Sequence, residues 1–233
     1  MAKREEIKTE EKNILVICAH SDDQVIGPGG TMAKYAKEGY NVYTIIFSYG
    51  ELSHPHMKRS YMARIRVQES KAADKIIGGK GVLFLGVKDG KFKEDYTKKK
   101  MRNKLRDLIL KFSPEKIYTH SKDDLLPDHR FVRDEVLEIY DALHKKNKMT
   151  SEVYSFDVWN LWNILKRNKP RVVIDISNTF NNKTRALKEF KSQINFFSHT
   201  FFVNFLFVSV YYKAYINGLK YRKKKAEVFY KLR

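Results

Sequence analysis

The sequence predicts an α/β fold with a doubly wound, mainly parallel sheet flanked by helices. Short apolar runs alternate along the chain with amphipathic segments of helical spacing, which is typical of βαβ units with right-handed crossovers. The first apolar run is continuous rather than alternating, as expected of a strand buried on both faces. With 233 residues, of which 42% are hydrophobic, the chain can bury one core, so we predict a single domain over residues 1–233.

The first part of the chain shows the alternation most clearly. The run ILVICA at 14–19 predicts a buried strand, and the apolar spacing at 31–38 predicts a helix. β-branched and aromatic residues predict a second strand at 40–47. An amphipathic helix follows at 57–77, before the glycine pair that ends it, and a short strand is predicted at 82–85.

The remaining elements follow from the same two patterns, amphipathic spacing for helices and short apolar runs for strands. The predicted helices are 98–112, 130–144 and 183–193, and the predicted strands are 116–119, 153–158 and 171–176.

Metal-ligating side chains follow the first strand directly. His20, Asp22 and Asp23 stand at its carboxyl end, where α/β sheets bind ligands. A histidine with two carboxylates supplies metal ligands and a base within one loop. The motif DLLPDH, which ends at His129, offers a second histidine from a distant part of the chain. Together the two segments predict a split metal site.

Structural roles for the same loop stay open at this point. Asp is favoured at helix N-caps, so Asp22 and Asp23 also fit the start of a helix. Gly27, Gly29 and Gly30 are compatible with a dinucleotide-binding loop, but AHSDDQ stands where the pyrophosphate would bind. We therefore interpret these glycines as turn and close-packing residues.

Charge and cysteine content limit the class of protein. The formal net charge is +19, from 46 Lys and Arg against 27 Asp and Glu, but no zinc-finger, RRM or helix-turn-helix signature accompanies it. We interpret the lysines as a solvated surface and do not expect a nucleic-acid partner. Cys18 is the sole cysteine, which fits a reducing compartment. Residues 1–12 are charged and lack the apolar region of a secretory signal, so we expect a flexible N-terminus and a cytoplasmic protein.

Several motifs, taken in order, resemble one family. They are AHSDDQ with the GxGG that follows it, Arg66-x-x-Glu69, THSKDDLLPDH, VIDIS, Lys183-x-x-Ala186 leading to Ser192-Gln193, and KAEVF. In this order they resemble the LmbE-like/PIG-L zinc-dependent N-deacetylases over almost the whole chain. The resemblance implies a Rossmann-like scaffold with the metal site at the carboxyl ends of the strands. It also implies removal of the acetyl group from N-acetylglucosamine units.

The resemblance assigns roles residue by residue. His20, Asp23 and His129 match the ligands of Zn²⁺, a set that also accepts Fe²⁺, Co²⁺ or Mn²⁺. Asp22 matches the general base, which takes a proton from the attacking water and returns it to the leaving amine. Arg66 becomes a candidate sugar or phosphate contact; the alternative is an i, i+3 ion pair with Glu69.

The chain departs from the family pattern at three positions. Leu126 replaces the first His of the usual HPDH, which helps hold the developing oxyanion while the counterpart of Asp128 orients it. We consider His120 as a substitute; the alternative is a strand-end residue bonded to the backbone. Gln24 and Ser21 replace the usual Glu and Pro and change no ligand.

Two further segments have competing interpretations. His54 and His56 either line the mouth of the pocket or lie in a surface loop, which we favour. The aromatic segment 196–212 is too short and too polar to cross a membrane. We predict a core strand or a homo-oligomer interface there. The alternative is a peripheral membrane contact that brings the enzyme to a lipid-linked amino sugar.

The sequence as a whole predicts a metal-dependent hydrolase that removes the N-acetyl group from an N-acetylglucosamine-type sugar, glycan or glycolipid precursor. One alternative is an amidase for another small N-acyl substrate. The other is a catalytically weak metal-binding or glycan-binding protein on the same scaffold, in which Leu126 has removed efficient turnover.

Overall fold

The computed structural model describes residues 12–54, 56–160, 171–194 and 200–233, with side chains described except at 194 and 200–207. The predicted flexible segment at 1–12 lies outside the described residues apart from Lys12. The strands are β1 Asn13–Cys18, β2 Asn41–Ser48, β3 Gly81–Val87, β4 Lys116–His120, β5 Glu152–Phe156, β6 Arg171–Asp175 and β7 Ala226–Lys231. The helices are α1 Asp23–Ile26, α2 Gly29–Lys37, α3 Arg59–Ile77, α4 Phe92–Lys98, α5 Met101–Phe112, α6 Pro127–His144, α7 Phe180–Leu187, α8 Lys191–Ile194 and α9 Thr200–Lys220.

The strands form one mainly parallel sheet in the order β3-β2-β1-β4-β5-β7-β6, which confirms the predicted fold class. Strands β3, β2, β1, β4 and β5 are parallel, whereas β7 runs antiparallel to both β5 and β6. The chain winds outward from β1 in both directions, so the switch in strand order lies between β1 and β4. Ligands bind at the carboxyl ends of such strands.

Two apolar layers cover the two faces of the sheet. Every residue of β1 is buried, and its side chains alternate between the layers, with Ile14 and Val16 in one and Leu15 and Ile17 in the other. This explains why the β1 sequence is a continuous apolar run. A fully buried strand next to the switch point gives the loop that follows it a rigid base.

The predicted element bounds are mostly confirmed, with five informative differences. The loop after β1 contains a short helix that begins at Asp23, and α4 and β7 were not expected from their sequences. Helix α6 begins at Pro127, a residue favoured in a first helical turn, so His129 lies on that turn and not before it. The predicted helix at 183–193 is instead α7 and α8, with a break between them.

The prediction of a core strand within 196–212 is wrong. Residues from Thr200 onward form α9, because an aromatic and β-branched run has the composition of a strand but gives no period that separates it from a helix. Across the described residues, we find no helix that combines the length and the apolarity needed to span a bilayer.

Candidate metal centre

Three predicted ligands from two distant segments meet at the carboxyl end of β1. Nδ1 of His20 lies 3.2 Å from Nε2 of His129 and 3.6 Å from Oδ2 of Asp23. The same carboxylate oxygen lies 3.4 Å from Nε2 of His129. The structure therefore brings together the three residues that the sequence predicts to hold a metal.

The backbone places each of the three. His20 and Asp23 lie in the loop after β1 and at the first residue of α1, and the His20 backbone N–H donates to Asp23 Oδ2 at 2.8 Å. His129 enters from the first turn of α6, which follows β4, the strand next to β1. The site is thus built by two neighbouring parallel strands whose carboxyl ends face the same side of the sheet.

The three ligand atoms have the spacing of a coordination sphere. Tetrahedral ligands at about 2.0–2.1 Å from Zn²⁺ are about 3.3 Å apart, close to the 3.2–3.6 Å separations found here. Two imidazole nitrogens and a carboxylate oxygen are electron donors that face one another, and a cation between them would satisfy all three. The residues present therefore fit a divalent transition metal.

Asp124 supports His129 from behind. Its Oδ1 lies 3.0 Å from His129 Nδ1, which leaves Nε2 facing the centre. Its Oδ2 accepts the backbone N–H groups of Val158 and Trp159 at 2.9 and 3.1 Å. Burial raises the pKa of Asp124, but His129 and these N–H groups outweigh it and hold the carboxyl well below its usual range. A carboxylate behind a histidine is a common outer partner in metal sites, yet the motif alone assigned Asp124 no role.

His120 takes the second of its two predicted alternatives. It is wholly buried at the end of β4, and its Nε2 accepts the backbone N–H of Ala19 at 3.0 Å. Its ring stacks on His129 with centroids 3.9 Å apart. Burial lowers the pKa of His120 to about 4, and its Nε2 also lies 3.3 Å from Oδ2 of Asp23, so the ring packs directly against two of the three converging residues.

Acidic groups surround the buried ligands. Burial opposes the charge on Asp23, but His129 and His120 hold the pKa of its carboxyl well below its usual range. On the open side of the site, Oδ1 of Asp89 lies 3.4 Å and Oδ2 of Asp128 lies 3.7 Å from Nε2 of His20. Burial lowers the pKa of His20, but these carboxylates outweigh it and raise that pKa well above its ordinary value.

Asp89 is a site residue that the sequence did not reveal. It follows β3, two strands away from β1, and no motif includes it. The available signal was its place after the carboxyl end of a parallel strand, which is where α/β sites collect residues.

Asp22 stands at the N-cap position of α1, but its side chain makes no cap hydrogen bond. Instead its Oδ1 lies 3.3 Å from Nη2 of Arg66, a buried side chain of α3. Nε and Nη1 of Arg66 have no hydrogen-bond partner among the described residues. Both of these atoms are buried, so it is Nη2 through which the arginine contacts Asp22.

The alternative ion pair between Arg66 and Glu69 does not form in the described structure. Glu69 instead accepts both the backbone N–H and the hydroxyl of Ser192 at 2.7 Å.

The expectation of a surface loop is wrong for His54, which is buried with Nε2 2.7 Å from the Ser192 carbonyl oxygen, whereas His56 is exposed. Glu69 and His54 thus both bond to Ser192, a residue from a distant part of the chain, instead of adopting the local arrangement expected from the sequence.

The glycines after α1 pack closely, as predicted. A Cβ on Gly27 would lie 2.3 Å from the Phe156 ring, and one on Gly30 would lie 2.8 Å from Ile176. Glu227 accepts the backbone N–H groups of Gly30 and Thr31 at 3.0 and 2.8 Å. A side chain therefore occupies the start of α2, where a dinucleotide phosphate would bind.

Comparison with known proteins places this geometry in a family. The family model described as PIG-L, GlcNAc-PI de-N-acetylase, matches residues 15–140. The probable N-acetyl-alpha-D-glucosaminyl L-malate deacetylase 2 of Bacillus cereus is 26% identical over 189 residues, 78% of this chain and 84% of that protein. The 4-oxalmesaconate hydratase of Pseudomonas putida is 30% identical over 131 residues, 53% of this chain and only 49% of that protein.

Solved structures share the fold over nearly the whole chain. The 4-carboxy-2-hydroxymuconate hydratase of Pseudomonas putida superposes with a TM-score of 0.80 at 21% identity, covering 95% of this chain and 96% of that one. The N,N'-diacetylchitobiose deacetylase of Pyrococcus horikoshii superposes with a TM-score of 0.75 at 21% identity, covering 96% and 84%. The family match spans more than half of the chain and contains all three converging ligands, and the chain therefore belongs to the PIG-L (LmbE-like) family.

Proposed function

We propose that this protein is a metal-dependent hydrolase that removes the N-acetyl group from an N-acetylglucosamine-type sugar, glycan or glycolipid precursor. The observation that carries the proposal is the convergence of His20, Asp23 and His129 with separations of 3.2–3.6 Å between their donor atoms. Family membership and the deacetylases among its relatives support the reaction type.

In this proposal His20, Asp23 and His129 hold Zn²⁺ and leave one side open toward solvent. When bound, the cation would acidify a water molecule and polarise the substrate carbonyl. The buried carboxylate of Asp124 keeps His129 in the tautomer whose Nε2 faces the ion.

Asp22 moves the protons. Its carboxylate is not one of the three converging ligands, and Arg66 fixes its position from the side. As general base, Asp22 takes a proton from the attacking water while the water oxygen bonds to the carbonyl carbon. It then gives that proton to the nitrogen as the C–N bond breaks, and acetate and a free amine leave. Arg66 is the candidate contact for a hydroxyl or phosphate oxygen of the substrate, since its Nη2 lies beside the proposed base.

In this proposal we assign no substitute for the oxyanion histidine whose position Leu126 occupies. Leu126 cannot donate a hydrogen bond, and His120 is buried beneath the ligands. Asp128 supports His20 through the Nε2 side of the ring. Loss of one oxyanion donor costs about 10²–10³ in rate, so we expect slower turnover than an enzyme with HPDH would show.

A second candidate is the hydration of a carbon–carbon double bond in a carboxylated substrate. It is favoured by the sequence match to a hydratase of Pseudomonas putida and by a solved hydratase structure from the same bacterium, which shares the fold at a TM-score of 0.80. A metal-activated water and a proton-transferring carboxylate serve both reactions.

Acetate release from N-acetylglucosamine derivatives, measured with Zn²⁺ bound, tests the proposal. We expect Asp22→Asn to keep the metal and to lose about 10²–10⁴ in turnover, and His129→Ala to lose both metal and turnover. Equal activity of Asp22→Asn and the parent protein would remove Asp22 as the base. Water addition to an unsaturated dicarboxylate without acetate release would favour the hydratase. Metal binding with neither activity would favour the binding-protein alternative.

The single domain, the cytoplasmic location and a homo-oligomeric state stay predictions. Cell fractionation and the mass of the purified protein in solution measure the last two directly.

A further inference from the structure

Helix α9 presents an apolar face to solvent. Over the part of the helix with described side chains, Leu219 is 76% exposed, Val208 is 63% exposed and Tyr212 is 50% exposed. Tyr211, Tyr215 and Ile216 are also exposed. The other five residues lie three, four, seven, eight and eleven positions after Val208, which places all six on one side of a helix. We call them the α9 face.

The opposite side of α9 packs on the protein, and at one edge of the α9 face Tyr211 and Tyr215 also contact the Phe180 ring, with centroids 5.3 and 6.2 Å apart. Val210 and Ala214 are buried on that opposite side, so the helix is already anchored without its apolar face. A contiguous exposed apolar face of this kind marks a contact surface.

The stretch of sequence that contains the α9 face carries charge of one sign. From Phe190 to Ala226 the sequence contains no Asp or Glu. The same stretch contains the basic residues Lys191, Lys213, Lys220, Arg222, Lys223, Lys224 and Lys225. We call residues 220–225 the basic segment. It is continuous with the α9 face, because Lys225 Nζ lies 5.0 Å from the ring centroid of Tyr215.

We propose that the α9 face and the basic segment dock the protein on an anionic membrane surface. Aliphatic side chains enter the boundary between headgroups and acyl chains, and tyrosine rings sit at headgroup level. Lysines and arginines beside them pair with anionic lipid headgroups. The two features are adjacent, which is the arrangement that a lipid surface needs.

Other occupants fit the same surface less well. A second copy of this face would bring no acidic side chain to the basic segment, since none lies between Phe190 and Ala226. A nucleic acid would pair with the basic segment but would leave Val208, Ile216 and Leu219 without an apolar partner.

The α9 helix also contacts the turn that supports the metal centre. Lys213 Nζ lies 3.3 Å from the carbonyl oxygen of Val158, and the N–H of Val158 donates to Asp124. Two hydrogen bonds therefore connect α9 to the carboxylate that lies behind His129. The inference does not depend on the proposed deacetylation, although a glycolipid substrate would suit it.

Vesicle co-sedimentation of the full chain tests the docking surface. The vesicles are pure phosphatidylcholine or phosphatidylcholine with phosphatidylglycerol, at about 0.1 M salt, where the Debye length is about 10 Å. We expect at least tenfold tighter binding to the anionic vesicles. Tyr212→Ser should weaken that binding severalfold, while Tyr61→Ser, at a residue of similar exposure on α3, should not.

A second pair of variants separates local charge from the overall charge of +19. The double variant Lys223→Gln/Lys224→Gln removes the same charge as Lys145→Gln/Lys146→Gln, and all four lysines are exposed. We expect only the first double variant to lose binding, about tenfold or more. Equal losses, or no vesicle binding by the parent protein, would overturn the proposal.

Two further results would assign the surface to another occupant and so also overturn it. One is a dimer in sedimentation velocity that Tyr212→Ser dissociates. The other is binding of a single-stranded oligonucleotide that displaces the vesicles. Acetate release is measured separately, so failure of vesicle binding leaves the proposed hydrolase untouched, and the reverse also holds.

Discussion

One polar cluster lies at each end of α1, and the two differ in whether their atoms are satisfied. In the first, Lys183 Nζ donates to the carbonyl oxygens of Ile26 and Gly27 and to Glu227. The Glu227 carboxylate also accepts two backbone N–H groups at the start of α2. Every strong donor in this cluster meets an acceptor, so it needs no ligand.

The metal centre has the opposite character. Nδ1 of His20, Nε2 of His129 and Oδ2 of Asp23 face one another at 3.2–3.6 Å, and lone pairs that face one another do not satisfy one another. A proton or a cation between these three atoms is needed to stabilise the arrangement. Charged residues in motifs of the same family can therefore be structural or functional, and the state of their hydrogen-bonding atoms tells the two apart.

The largest effect on stability is expected from breaking the satisfied cluster. Lys183→Met leaves the buried Glu227 without its cation, which costs about 3–5 kcal/mol in the free energy of unfolding. Urea unfolding of the metal-free protein measures this loss. Adding Glu227→Gln to Lys183→Met should recover part of it, because the uncompensated charge is then gone.

The matched control is the exposed pair of Lys34 and Glu38, which lies on α2 at 4.0 Å and at i, i+4. Lys34→Met should cost no more than about 0.5 kcal/mol. If Lys183→Met were equally mild, the first cluster would not be the structural element described here.

The converging ligands could be predicted from the sequence because they belong to short motifs at strand ends. His20 and Asp23 follow an unmistakable buried strand, and His129 belongs to DLLPDH. Their meeting requires only that β1 and β4 be neighbours and parallel, as the fold class implies.

Residues whose partners come from distant backbone could not be predicted in the same way. Asp124 is held by the N–H groups of Val158 and Trp159, which no local pattern connects to it. Arg66 and Glu69 have the spacing of a helical ion pair, but Arg66 pairs with Asp22 and Glu69 accepts a hydrogen bond from Ser192. Tertiary contacts decide such cases, and a single sequence does not record them.

The next effect concerns metal affinity, and it distinguishes a metal ligand, His129, from the carboxylate of Asp124 that lies behind it. Asp124→Asn removes the charge behind His129 but no ligand, so we expect the affinity for Zn²⁺ to fall about 10–100-fold. Competition with a chromogenic chelator measures it without reference to turnover. Asp107→Asn, at an exposed carboxylate of α5, is the control for charge alone. Unchanged affinity in Asp124→Asn would show that the buried carboxylate does not support the metal centre.

The smallest effect concerns a buried carboxylate that has neither a cation nor converging ligands. Asp74 on α3 is 5% exposed, and its Oδ1 has no hydrogen-bond partner among the described residues. Gly79 lies directly against it, since a Cβ there would be 2.0 Å from Oδ1. Burial alone raises the pKa of Asp74 to about 7.

A folded-state pKa above the unfolded value means that stability is fully present below about pH 4 and falls as the pH rises toward 7. Asp74→Asn removes that titration, so the variant should lose less stability than the parent between pH 4 and pH 6, by about 1–3 kcal/mol. Urea unfolding across this range measures the difference, and Asp107→Asn should follow the parent curve. Parallel curves for Asp74→Asn and the parent would mean that Asp74 keeps an ordinary pKa. An unpaired buried charge would then carry no cost in this fold, and the contrast with Lys183 and Glu227 would fail.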